Sequence, residues 1–307
     1  KPYLFKTSDY GKTWKAITHG IPADEFTRVI REDPKRRGLL FAGTETGVYL
    51  SLDDGESWER WNSNLPVCPV HDLVIKGTDL IAATHGRSIW ILDDITPLRQ
   101  TYERTVAAKA ALLKPRDATR LKVYLGWGGP LPVPVNYGWA GPLVYTYEVK
   151  QTATGKLRRP LDAGHNGPQG ALIHYWLKSE PKDDITLSVL DSAGNVLRSF
   201  SSKAQEGVKE EERDPVLPKA EGVNRFVWDL RVAPSTRLKE KKGGRGDFAV
   251  DGPVVSPGAY RLALTVGKQT FTQTLTVRAD PRHTGASQAD LDAQHAFLLK
   301  VRDTLSA

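Results

Sequence analysis

The sequence predicts an all-β chain: a partial β-propeller of two to three blades, then a β-sandwich and a short C-terminal helix. Three observations predict it. An octapeptide recurs 44 residues apart, starting at Thr7 and again at Ser51, a period typical of units built from several short strands. Past the middle of the chain, apolar residues alternate at period two between turn residues, as half-buried strands require. The last twenty or so residues change to helical spacing behind a capping pattern.

Residues 1–96 carry the repeats. Thr7-Ser8-Asp9-Tyr10-Gly11-Lys12-Thr13-Trp14 and Ser51-Leu52-Asp53-Asp54-Gly55-Glu56-Ser57-Trp58 both read Ser/Thr-x-Asp-x-Gly-x-Ser/Thr-Trp. Each follows a short strand (Leu4-Phe5-Lys6; Val48-Tyr49-Leu50) and leads to a proline turn (Gly20-Ile21-Pro22; Asn64-Leu65-Pro66). The aspartate suits a chain reversal, because its carboxylate can accept backbone N–H groups of the turn. Gly11 and Gly55 supply a positive φ, and Trp14 and Trp58 have the bulk to fill space between packed sheets. A third, degenerate unit runs from Leu73-Val74-Ile75 through the turn Lys76-Gly77-Thr78-Asp79 and Leu80-Ile81-Ala82-Ala83-Thr84 to Ser88-Ile89-Trp90-Ile91-Leu92-Asp93-Asp94.

The octapeptide resembles the Asp-box, or BNR repeat, of sialidase-type and sortilin-like β-propellers, many of them large secreted bacterial proteins. The resemblance implies that Asp9, Gly11, Trp14, Asp53, Gly55 and Trp58 are structural, at blade edges away from any central site. It implies an extracellular, periplasmic or cell-surface location. A propeller ring takes about four blades or more. The expected partners are therefore missing upstream blades, or another protein chain that supplies them, with a glycan as a further candidate. The chain starts at Lys1 and contains no Met, so it is expected to be the C-terminal piece of something longer.

Residues 97–115 read as a linker with a short helix, since Thr96-Pro97 breaks the strand pattern before the strand around Ala111-Leu112-Leu113. Residues 116–280 read as an antiparallel sandwich of immunoglobulin-like type. Ile173, Tyr175 and Leu177 alternate on one strand, and Ile185, Leu187 and Val189 on the next. Asp191 to Asn195 and Gly267-Lys268 are hairpin turns. Within this region 126–142, dense in Gly, Pro and aromatics, reads as an ordered loop. Gly222 to Leu230, followed by Pro257-Gly258-Ala259-Tyr260, resembles the Ig-like domains of flagellar-hook-cap type that end many secreted propellers. Residues 281–307 form an amphipathic helix, capped by Ser287 and Asp290, with an apolar stripe of Leu291, Phe297, Leu298, Val301 and Leu305 that is expected to pack on the sandwich or on a helical partner.

Composition narrows the function. Of the 307 residues 39% are hydrophobic and 26% charged, which excludes a largely disordered chain. No run approaches the roughly 18 apolar residues of a membrane helix. The single cysteine, Cys68, excludes an internal disulfide and a cysteine-rich zinc site. The formal charge of +7 permits anionic contacts without specifying them. Its densest run, Arg237, Lys239, Lys241, Lys242 and Arg245, reads first as a solvated loop and second as an anion-binding one; nucleic acid is not the expected partner. The histidines (His19, His71, His85, His165, His174, His283, His295) show no zinc spacing, and no cofactor or metal is expected. The sharpest catalytic candidates are His85 and Arg87, with His71-Asp72 one strand earlier and Asp93-Asp94 one strand later: a histidine can move a proton and an arginine can grip a carboxylate. The plainer reading pairs Arg87 with Asp93 or Asp94 and lets His85 cap the turn. The sialidase mechanism, with three arginines, a tyrosine nucleophile beside a glutamate and an aspartic acid, draws on many blades and does not map onto these residues. The expected function is therefore a non-catalytic extracytoplasmic scaffold or interaction module binding another protein or a glycan. The alternative is part of a glycoside hydrolase- or peptidase-like propeller whose active site lies mostly upstream.

Overall fold

Alternating apolar and polar residues on short segments leave the chain little choice but sheet, and the computed structural model is mostly β with a C-terminal helix. It describes residues 1–101, 103–121, 147–152, 155–160, 167–206, 213–236, 251–282 and 285–307. The chain divides into two units, Lys1–Thr101 and Tyr102–Ala307. The division falls inside the segment read from sequence as a linker.

The first unit contains three sheets. Strands β1 (Phe5–Lys6) and β2 (Lys15–Ala16) pair antiparallel across the first octapeptide. Strands β3 (Thr27–Glu32), β4 (Leu40–Thr44), β5 (Val48–Ser51) and β6 (Glu59–Arg60) form a four-stranded meander. Strands β7 (Val70–Lys76), β8 (Asp79–Thr84) and β9 (Ile89–Leu92) form a three-stranded one. Every residue of β4 and β5 is buried, so the middle sheet is covered on both faces. One face presents Leu40, Ala42, Tyr49 and, from the following turn, Trp58 to Leu4, Ile17 and Ile21. The other presents Leu39, Phe41, Val48 and Leu50 to Val70, Leu73, Leu80 and Ala82. Each of the large aliphatic and phenyl side chains among them contributes about 1.5–3 kcal/mol by leaving water, which fixes the stacking order of the sheets. The third sheet buries only alternate residues; Val74, Ile89 and Ile91 on its other face are 47%, 69% and 58% exposed.

Helix α1 (Thr96–Gln100) closes this unit, with Pro97 in its first turn where a missing N–H costs nothing. Ile95 and Leu98 enter the core shared by the second and third sheets. Arg99 grips Asp33 with both ends of its guanidinium, Nε to Oδ2 at 3.0 Å and Nη2 to Oδ2 at 2.8 Å, and Nη2 also donates to the Gly77 carbonyl at 2.9 Å. The Asp33 side chain is fully buried and Arg99 only 10% exposed. Asp33 Oδ1 accepts the amides of Lys35 and Arg36, and Arg36 donates back to the Leu98 carbonyl.

The second unit starts with α2 (Glu103–Ala107) and builds two sheets around one core. Strands β10 (Ala110–Leu112), β14 (Ala171–Leu177) and β17 (Gly222–Trp228) form the smaller sheet, with β14 between the other two. Strands β11 (Ala118–Arg120), β15 (Ile185–Leu190), β16 (Val196–Ser201), β18 (Gly258–Val266) and β19 (Gln269–Ala279) form the larger in the order β11-β19-β18-β15-β16, which does not close on itself. Ile173, Tyr175, Leu177, Ile185, Leu187 and Val189, the alternating positions of the sequence, all lie in the shared core. Among the described residues of this unit, pairing is antiparallel except between β11 and β19, which run parallel at the sheet edge; the antiparallel arrangement expected from sequence is corrected there, because β11 arrives from outside any hairpin. Strands β12 (Tyr147–Thr152) and β13 (Gly155–Pro160) form a separate antiparallel ribbon. Trp228, fully buried, donates its indole N–H to the Arg231 carbonyl at 2.8 Å. The loop 126–142 lies outside the described residues.

Helix α3 (Gln288–Ser306) opens with the expected box: the Ser287 hydroxyl accepts from the Asp290 amide, and the Asp290 carboxylate accepts from the Ser287 amide. Its docking face matches the expected stripe at Leu291 and departs from it beyond. Leu291, His295, Leu299, Arg302 and Ser306 turn toward the sheets, whereas Phe297, Leu298, Val301 and Leu305 are exposed. The contacts are largely polar: Ser256 Oγ to the Leu291 carbonyl, His295 Nδ1 with the Val254 carbonyl at 3.0 Å, and Arg302 to the Ala233 carbonyl.

Candidate functional site

The octapeptides are the best-defined polar constructions in the first unit, and they are bonded alike. In the first, Asp9 Oδ1 accepts from Thr7 Oγ1 at 2.9 Å and from the Thr13 amide at 2.9 Å, and Oδ2 accepts from Thr13 Oγ1 at 2.7 Å. The Gly11 amide returns to Thr7 Oγ1 at 2.8 Å. In the second, Asp53 Oδ1 accepts from Ser51 Oγ at 2.8 Å and from the Ser57 amide at 2.9 Å, Oδ2 accepts from the Ser57 hydroxyl, and the Gly55 amide reaches Ser51 Oγ at 2.9 Å. Gly11 and Gly55 both sit at φ 87°, preceded by Tyr10 and Asp54 at 58° and 63°. These bonds set the acidities. The Thr13 amide and hydroxyl hold the Asp9 carboxyl below the ordinary carboxylate range. Partial burial pushes Asp53 up, but the Ser57 hydroxyl and amide outweigh it and hold it low. Each carboxylate stays ionised and occupied by its own turn.

Position separates the two tryptophans. Trp58 is buried and donates its indole N–H to the Ile17 carbonyl at 2.8 Å, while its amide bonds the His19 carbonyl at 2.9 Å. A Cβ added at Gly55 would come within 2.8 Å of Ile17 Cδ1, so glycine also permits the close approach of the two sheets. Lys15 pairs with Glu56 at 2.7 Å and Lys6 with Asp54 across the same boundary. Trp14, expected to fill space between sheets, is instead 61% exposed and bonds only back to its own Gly11 carbonyl at 3.2 Å, because none of the described residues packs against that side of the first sheet.

The third unit ends on a converted version of this turn, which sequence reading did not equate with the other two. Leu92-Asp93-Asp94 repeats Leu52-Asp53-Asp54, and Asp94 takes the same left-handed conformation, φ 70°. The register then shifts by one residue: the Ile95 amide, the one after Asp94, bonds the Thr78 carbonyl, whereas in the second octapeptide the Asp54 amide itself bonds the Gly38 carbonyl. After Ile95, α1 follows in place of the tryptophan-bearing return.

His85 and Arg87 lie at the exposed end of β8. The His71 and His85 rings stack, centroids 5.2 Å apart and 7° from parallel. The His85 amide bonds the Pro69 carbonyl, which joins the two histidine segments. Asp72 pairs with Arg31 at 2.6 Å. Arg87 donates to the neighbouring Gly86 carbonyl at 3.0 Å, and its own carbonyl accepts the Trp90 indole at 2.7 Å. Asp93-Asp94, at the other end of β9, is bonded to the turn before β8, with the Asp94 amide on Asp79 Oδ1 at 3.0 Å. The structure thus brings His71, His85 and Asp72 to one end of the third sheet and places Asp93-Asp94 at the other. Among the described residues no cluster of His, Cys, Asp and Glu could hold a metal ion. Arg237, Lys239, Lys241, Lys242 and Arg245 lie outside the described residues. The buried Asp33–Arg99 pair was not foreseen; 66 residues separate the partners and no pattern links them.

No family model matches the chain, and no curated protein matches it.

Proposed function

We propose that this chain is a non-catalytic extracytoplasmic scaffold module. Its first unit supplies blades of an Asp-box propeller, its second an Ig-like sandwich with a docked helix, and the whole binds another protein or a glycan. The observation that carries the reading is the pair of octapeptide carboxylates. Asp9 and Asp53 accept the same bonds from the same turn positions and are held ionised by them. A carboxylate so occupied fastens a turn; a general acid must keep its proton near neutral pH. An extracytoplasmic setting follows from the resemblance of the octapeptide.

A second reading has one observation in its favour. The stacked His71 and His85 rings and the exposed Arg87 gather basic groups at one end of a sheet, where a hydrolase completed by other blades could use them. Turnover of a panel of glycans and peptides by the full-length gene product separates the two. The scaffold reading expects no turnover above background and an unchanged melting curve for Arg87→Ala. Turnover that disappears in a folded Arg87→Ala protein would overturn it.

A further inference from the structure

Phe5 and Trp14 occupy, 44 residues earlier, the positions of Tyr49 and Trp58. Tyr49 and Trp58 are each 3% exposed, sealed against Leu4, Ile17 and Ile21 of the preceding sheet, whereas Phe5 and Trp14 are 54% and 61% exposed. Tyr3 and Tyr10 beside them are also bare. Four large exposed aromatics on and beside one small hairpin, with Phe5 on β1, Tyr3 before it and Tyr10 and Trp14 in its turn, exceed what a solvent face normally carries.

We propose that this aromatic face is half of an interface, filled by a further Asp-box sheet of the same repeat array. The interface between the first and second sheets is the template, and this face continues it by one period. The template specifies the occupant. It must offer an aliphatic face, as Leu4, Ile17 and Ile21 do, and a backbone carbonyl where Ile17 meets the Trp58 indole. Charge adds a third requirement. Lys12 stands at the position of Glu56, which pairs with Lys15. The occupant therefore carries an acidic residue where the first repeat has Lys15. Glu59, at that position in the second repeat, is an example of such a choice.

A second copy of this chain fits less well. The open face of its third sheet carries Val74, Ile89 and Ile91, which are aliphatic enough. That sheet, however, has three strands, and α1 follows β9 where a fourth would run. It has no counterpart of β2 and of the carbonyl that trails it, so the Trp14 indole would keep its bond to the Gly11 carbonyl and make none across the contact, unlike Trp58, which reaches the Ile17 carbonyl.

This inference rests on the scaffold reading, yet its test is independent of any ligand or turnover. A photo-crosslinking benzoylphenylalanine is placed at Phe5 in the full-length gene product, and the crosslinked peptide is mapped by mass spectrometry. The expected product is a crosslink within one polypeptide, to the strand following another octapeptide of the same pattern, with an acidic residue at the Lys15 position. Trp14→Ala should lower its yield about tenfold, as loss of a buried aromatic anchor does. Should the Phe5 variant fail to fold, fluorotryptophan NMR of the otherwise unaltered protein, assigned with Trp14→Phe, reads the same point: Trp14 should be as shielded from solvent as Trp58. A crosslink to residues 74–91 of a second copy, a crosslink to the second unit, or a solvent-exposed Trp14 would each overturn the proposal. Turnover with a shielded Trp14 would sink the scaffold reading alone; a bare Trp14 without turnover would sink this one alone.

Discussion

Asp33 accepts bonds from the Arg99 guanidinium and from the amides of Lys35 and Arg36, and nothing in the sequence pointed to it. Burial pushes its carboxyl up, but Arg99 and the amides of Lys35 and Arg36 prevail and hold it below the ordinary range. Removing the guanidinium leaves a fully buried charge with only backbone donors. Arg99→Ala is expected to destabilise the first unit by about 3–5 kcal/mol, read by denaturant melting near neutral pH. The pH dependence has a definite sign. The folded-state pKa of Asp33 lies below its unfolded value of about 4, so the stabilisation is complete above that value and is lost as pH falls through the lowered one. Wild type should therefore lose stability with acid more steeply than Arg99→Ala. The octapeptide residues were legible because their bonds span four residues and recur at a fixed period. The Asp33–Arg99 pair depends on how two sheets stack, which no local pattern encodes.

At the scale of the element, α3 separates what spacing can and cannot tell. Its start was legible, since a capping box is local chemistry. Its stripe of Leu291, Phe297, Leu298, Val301 and Leu305 was legible too, but only Leu291 of it lies on the face by which the helix docks. That face mixes Leu291, His295, Leu299, Arg302 and Ser306, and its partners are backbone carbonyls such as those of Val254 and Ala233. Hydrogen bonding to main chain chose the orientation, and hydrophobic periodicity is blind to main chain. Burial lowers the His295 pKa; Arg120 and Arg302 lower it further, against the Val254 carbonyl and Asp292. The neutral ring is the folded form, so its contribution is present above the unfolded value of about 6.5 and is lost as pH falls through the lower folded one. Hydrogen exchange should show the amides of 291–306 losing protection between neutral and mildly acidic pH. His295→Gln, which keeps a donor but cannot titrate, should flatten that dependence.

For the whole molecule, the mostly β composition and the C-terminal helix were readable from alternation, turns and the capping pattern. The parallel edge pairing of β11 with β19 and the double burial of the middle sheet were not, because both are set by what packs next to what. The open face of the third sheet leads to a measurable liability. Val74, Ile89 and Ile91 form an apolar patch on the 307-residue chain. Ile89→Lys combined with Ile91→Lys should reduce concentration-dependent association in sedimentation velocity, while shifting stability by no more than about 0.5 kcal/mol. The converted turn after β9 has a historical consequence. Because α1 reaches back to Asp33, a duplicated repeat spliced in behind Leu92 would pull Arg99 away from its carboxylate, whereas one added ahead of Tyr3 would leave the bonds of Tyr3 to Thr27 and of Leu4 to Ile17 in place. Lineages of this protein should therefore vary in repeat number only at the leading edge, with the terminus after β9 inherited unchanged like the last word of a fixed formula.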